Sequence, residues 1–93
     1  MSATNEEQGS VLIRNRYGLH ARPAAEFVKL ANRFASEIWV RKQELEVNGK
    51  SIMGMMMLAA ECGSEITIRA AGPDAQMAVS ELTALVERRF GEE

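Results

Sequence analysis

The sequence predicts an α+β fold: one four-stranded antiparallel sheet with three helices on one face, in the order β-α-β-β-α-β-α. Three observations predict it. Short segments such as "SEIWVRK" and "SEITIRA" alternate apolar with polar residues, as strands with one buried face do. Between such segments apolar residues return at three- and four-residue steps, as helices covering a core require. The chain has 93 residues, 46% of them apolar and 26% charged, enough for one core without metals or disulfides.

The elements follow in order. "MSATNEEQGS" is polar and acidic, so residues 1–9 are expected to be a disordered N-terminal extension and 10–93 a single domain. "SVLIRN" (10–15) reads as the first strand and Tyr17–His20 as loop. A helix begins at Ala21. Its stripe is Ala24, Phe27, Val28, Ala31 and Phe34, and Pro23 suits its first turn, where a missing N–H costs nothing. "SEIWVRK" (36–42) turns Ile38 and Val40 inward and Glu37, Trp39 and Arg41 outward. A reversal near Lys42–Glu44 leads to the next strand, with Leu45 and Val47 inward. Asn48-Gly49 then opens a short apolar helix over 51–60, for which Ser51 is a good N-cap. Gly63 marks its exit and "SEITIRA" (64–70) the last strand. Gly72-Pro73-Asp74 opens the final helix, with Pro at its first position and Ala75, Ala78, Val79, Leu82, Leu85 and Val86 as its buried stripe.

Composition narrows the function. A net charge of −2 argues against binding driven by clustered Lys and Arg, so no nucleic-acid partner is expected. The single cysteine, Cys62, forms no disulfide within the chain and reads as a small, partly buried residue of a reducing compartment. No secretory leader is recognisable and no apolar run is long enough to span a membrane, so a cytoplasmic protein is expected.

His20 is the only histidine and stands just before a helix. Unpaired backbone N–H groups point outward there, and the helix dipole is positive. That field and nearby Arg22 oppose a second positive charge on the ring and welcome an anion on or beside it. Two readings follow: an ordinary loop or loosely capping residue, or the seat of a phosphoryl group. No second histidine or carboxylate cluster stands near it in sequence, which gives little support to a metal site or a hydrolytic triad.

"Gly18-Leu19-His20-Ala21-Arg22-Pro23-Ala24" resembles the active-centre signature of the HPr family, the histidine-containing phosphocarriers of the bacterial phosphoenolpyruvate-dependent phosphotransferase system. "Asn48-Gly49-Lys50-Ser51-Ile52-Met53-Gly54" resembles the family's second signature, around a regulatory serine, at the family's interval. "EITI" and "GPDA" match as well, so the likeness runs over residues 10–89. It implies an open-faced β-sandwich and a phosphoryl carrier that is not an enzyme. His20 would be phosphorylated on Nδ1 by phospho-Enzyme I and would pass the group to an Enzyme II A-domain. Arg22 and backbone N–H groups beside it would hold the phosphoryl oxygens. No cofactor or metal is implied, and the carrier is expected to be a monomer.

The resemblance makes Ser51 a target of HPr kinase/phosphorylase, beyond its role as an N-cap. A phosphate there adds about −1.5 to −2 charge. It also implies that Ala25, Ile52, Met53 and Met56 meet partner proteins. Helical spacing groups Ile52, Met55 and Met56 on one face and Met53 and Met57 on another, one face for the core and one for solvent. Two residues depart from the commoner pattern. Tyr17 stands where sugar-type carriers often have Asn or Ser, which leaves open a nitrogen-branch regulatory carrier. Trp39 falls on the sheet face away from the helices, as an isolated exposed aromatic or a contact for another partner. Outside the family, the alternative is a small α+β binding module with no phosphotransfer.

Overall fold

The structure is a computed structural model that describes residues 5–92. Its elements are β1 (Glu6–Leu12), α1 (Ala21–Ala31), β2 (Glu37–Lys42), β3 (Leu45–Asn48), α2 (Ile52–Met57), β4 (Glu65–Ala71) and α3 (Ala75–Glu87), then a 3-10 turn (Arg89–Gly91). The four strands form one sheet in the order β1-β4-β2-β3, every pair antiparallel. The expected α+β order and open-faced architecture are those observed.

Alternation along β2 and β4 sets the core. Ile38 and Val40 of β2, with Ile66, Ile68 and Ala70 of β4, are buried toward the helices. Phe27 of α1, Met55 of α2, and Leu82 and Val86 of α3 meet them as fully buried side chains. The opposite sheet face is open. There Trp39 lies half-buried beneath the Arg69 guanidinium, 4.0 Å from the ring centroid. Glu6 and Glu46 hold that guanidinium at 3.0 and 3.3 Å. Trp39 is therefore not an isolated exposed aromatic but the floor of a stacked, ion-paired cluster.

Several boundaries differ from expectation. Of the extension expected over residues 1–9, Glu6–Gly9 belong to β1 and pair with β4, Glu6 opposite Ala71 and Gly9 opposite Ile68; residues 1–4 lie outside the described residues. Polar composition hid this strand because Val11 is its one buried side chain. Gly9, on the same face two residues earlier, has no side chain to signal burial. A Cβ at Gly9 would stand 3.2 Å from Val79 Cγ1, so the glycine lets α3 lie close on the sheet. Beyond Leu12 the first strand loses its regular pairing, and Ile13 continues only as two backbone bonds to Gly63 and Ser64 at 2.8 Å.

Leu45 is exposed and Val47 half-buried, because β3 is a four-residue edge strand reached by little of the helical layer. The reversal falls at Gln43-Glu44, as expected, with Gln43 in the left-handed region. Helix α2 is shorter than the expected 51–60. It stops at Met57, and Lys42 Nζ donates to the carbonyls of Leu58 and Ala59 at 3.4 and 3.2 Å. Only Met55 of α2 is buried, so the expected two-face division fails: a helix of six residues has one turn's worth of inward positions.

Pro73 lies ahead of α3 and not at its first position, because Asp74 is the N-cap residue. Its carboxylate makes no cap bond within α3. It accepts instead from the Ser36 hydroxyl at 2.6 Å and from the Ala35 and Ser36 N–H groups at 2.9 Å, tying the start of β2 to the start of α3. The Ser36 hydroxyl above all, then the Ala35 N–H, holds the Asp74 carboxyl below its ordinary value of 3.8. A carboxyl lowered on folding stabilises the fold fully above that ordinary value and loses this contribution as pH falls through it toward the lower native value. Asp74→Asn should therefore lower the thermal midpoint at pH 7, and the gap from the parent protein should narrow below pH 3.8 in melts followed by circular dichroism. A gap of equal size at neutral and acid pH would mean that the carboxylate charge does no such work.

Candidate functional site

The loop from Ile13 to His20 is pinned at both ends. Leu19 is buried, and its N–H donates to the Ala60 carbonyl at 2.9 Å. Gly18 makes that approach possible. Its φ is +70, and a Cβ there would stand 2.4 Å from the Ala60 oxygen. Asn15 closes the loop from within. Its buried Nδ2 donates to the Gly18 carbonyl at 2.8 Å and to Glu92 Oε1 at 3.0 Å. Its Oδ1 is buried with no partner among the described residues.

His20 leaves this loop as the N-cap residue of α1, with extended backbone and no side-chain cap bond. The ring is thus not consumed in capping. Pro23 occupies the first turn as expected, so the N–H groups of Ala21 and Arg22 are the ones left at the helix end. That first turn contains no acidic residue. The His20 side chain is 43% exposed, and its Nε2 lies 3.2 Å from Glu92 Oε2. Tyr17 meets the ring edge-on, centroids 6.3 Å apart, and Arg16 lies over the tyrosine at 5.5 Å. An open cleft of about 950 Å³ has Asn15, Tyr17, His20, Arg22 and Glu92 on its walls.

His20 and Arg22 therefore share one solvent-open cleft. Arg22 is exposed, and among the described residues it makes no ion pair or side-chain hydrogen bond. Two cleft residues escaped the sequence reading, Asn15 and Glu92. No carboxylate cluster stands near His20 in sequence, and the single carboxylate at its ring, Glu92, arrives from the far end of the chain. Nothing in the local sequence signals it. Phe90 is buried, and the left-handed Arg89, Phe90 and Gly91 turn the chain back over α1. Tyr17, which departs from the commoner pattern at its position, supplies a ring contact to His20.

The second candidate region is α2. Ser51 is its N-cap, and its Oγ accepts from the Gly54 N–H at 3.0 Å. Ile52, Met53, Met56 and Met57 are exposed, Met53 most of all at 72%. Ala25 of α1 is half-buried, and α1 packs against α2. The chain leaving α2 through Ala59–Glu61 borders His20 and Tyr17. An apolar patch and the histidine cleft thus adjoin the same pair of helices. Cys62 is exposed and not partly buried, its Sγ donating to the Arg14 carbonyl at 3.7 Å. Among the described residues no group of three or more His, Cys, Asp and Glu side chains could hold a metal, and no helix is long and apolar enough to cross a membrane.

Comparisons with known proteins converge on one family. The family model described as "PTS HPr component phosphorylation site" matches residues 7–88. The phosphocarrier protein HPr of Neisseria meningitidis serogroup A is 48% identical over 83 residues, which are 89% of this chain and 93% of that one. The HPr-like protein Crh of Bacillus subtilis is 49% identical over 80 residues, 86% of this chain and 94% of that one. Among solved structures, HPr of Thermoanaerobacter tengcongensis superposes with a TM-score of 0.89 at 46% identity, covering 94% of this chain and 98% of that one.

Proposed function

This chain belongs to the HPr family, and we propose that it carries a phosphoryl group on His20, from phospho-Enzyme I to Enzyme II A-domains, in phosphoenolpyruvate-dependent sugar phosphotransfer. One observation carries the reading: an exposed imidazole at a helix N-terminus, uncommitted to capping, beside an arginine that has no ion-pair partner among the described residues and a first turn free of acid. Nδ1 attacks the phosphorus held by the donor, and the donor's bond to phosphorus breaks. The phosphoryl oxygens draw on the dipole and N–H groups of α1 and on Arg22. Transfer onward is the same step with the chain as donor. The chain stores the group and needs no metal or organic cofactor of its own. We take it to be cytoplasmic and monomeric.

Partners dock on Ala25, Ile52, Met53 and Met56. An exposed methionine surface beside the cleft adapts to several partners in turn. Ser51 is the regulatory site, phosphorylated by HPr kinase/phosphorylase. A phosphate on Ser51 puts a double charge next to Ile52 and Met53, and docking weakens by desolvation and repulsion without refolding. A nitrogen-branch regulatory carrier is the second reading, favoured by Tyr17 against the His20 ring in place of a short polar residue.

Incubated with phosphoenolpyruvate and Enzyme I, the protein should take up acid-labile, base-stable phosphate, and His20→Ala should take up none. Labelling that survives in His20→Ala would place the phosphate elsewhere. Supplying sugar-type and nitrogen-type A-domains as acceptors then separates the two branches. With ATP and the kinase, acid-stable phosphate should appear and be absent from Ser51→Ala. Met53→Glu should leave the melting curve unchanged and weaken Enzyme I binding by about tenfold or more, roughly 1.4 kcal/mol, in titration calorimetry. A loss of fold would instead make Met53 a structural residue.

A further inference from the structure

We propose that Glu92 is a positioning residue for His20: it holds the imidazole as the Nε2–H tautomer, which leaves the lone pair on Nδ1. The inference rests on the carrier reading and adds a residue to it. A carboxylate only accepts hydrogen bonds. Oε2 lies 3.2 Å from Nε2, at ion-pair distance and without hydrogen-bond alignment, and its negative charge there favours the ring proton on Nε2 over Nδ1. Glu92 is itself held, since Oε1 accepts from the buried Asn15 Nδ2 at 3.0 Å. The same amide nitrogen grips the Gly18 carbonyl, so one side chain sets both the loop that carries His20 and the carboxylate that orients it.

The backbone delivers Glu92 with purpose. Three successive residues, Arg89, Phe90 and Gly91, have positive φ, and two of them are not glycine. Such conformations cost energy and persist only where the surroundings hold them. Here the buried Phe90 ring does so, and the Glu92 N–H bonds to the Arg89 carbonyl at 2.8 Å.

The role in transfer follows from charge balance. As Nδ1 forms its bond to phosphorus, the donor's bond breaks and its electron pair stays with the donor. Nε2 keeps its proton, and the ring gains a positive charge. Glu92 compensates that charge at the nitrogen opposite the phosphoryl group. On transfer onward the Nδ1–phosphorus electron pair returns to the ring.

The test is the ring's nitrogen-15 spectrum in the intact unphosphorylated protein, at a pH above the ordinary histidine range. The parent protein should show the Nε2–H tautomer. Glu92→Ala should mix in Nδ1–H, and so should Glu92→Gln, whose single amide oxygen is taken by the Asn15 Nδ2 donor and whose NH2 would face Nε2. Backbone spectra verify the fold of each. Phosphoryl uptake from Enzyme I should slow by about two- to fivefold in Glu92→Ala, the scale of a half-exposed ion pair. Glu92→Gln should also be slower than the parent, since it lacks the charge. An unchanged tautomer in Glu92→Ala overturns the proposal, as does a changed tautomer with parental rates. Failure of the parent protein to take up phosphate would sink the carrier reading instead, and the ring spectrum would still decide whether Glu92 sets the tautomer.

Discussion

The close approach of Gly18 to the Ala60 carbonyl is the constraint on which the site's arrangement depends. A single missing methyl group lets the Leu19 N–H reach that oxygen. Through this bond the chain entering α1 is fastened to the chain leaving α2. Leu19 then goes into the core, and His20, next in line, is turned out to solvent at the helix end. Any other residue at 18 would meet backbone on two sides, with Ala60 and Glu61 both within 3 Å of its Cβ. The cleft and the methionine patch are neighbours because these two helices are joined there.

The electrostatics are divided between the two sides of one ring. An α-helix N-terminus contributes about 0.3–1 kcal/mol toward an anion at a surface site, and an exposed ion pair about as much. Neither is strong alone. A carrier benefits from that weakness, because a phosphoryl group held too firmly would not leave. The first turn of α1 is free of acid, so nothing in it would repel a phosphoryl group. Among the described residues the one carboxylate lining the cleft sits at Nε2, away from the nitrogen that would bear phosphorus.

Much of the fold was legible because its signals are local. Alternation marked β2 and β4, Ser51 announced α2, and His20, Arg22 and Pro23 announced α1 within four residues. What stayed hidden depends on distant chain. The start of β1 was masked by Gly9, which buries a position without burying a side chain. Glu92 reaches Asn15 across 77 positions through residues of uncommon backbone conformation, and no periodicity encodes that return. Leu45 looked inward by alternation alone, which says nothing about whether an edge strand is covered. The division of α2 into two faces presumed a longer helix than the six residues formed.

Trp39 is the chain's single tryptophan and Tyr17 its single tyrosine. Trp39 is stacked under Arg69 on the open face of the sheet, while Tyr17 stands against the His20 ring on the helical side. The molecule therefore carries two separately readable optical reporters. Indole emission reports on the Arg69 stack that joins β2 to β4. The tyrosine contribution to absorbance reports on the ring beside His20. Neither reporter needs an attached label.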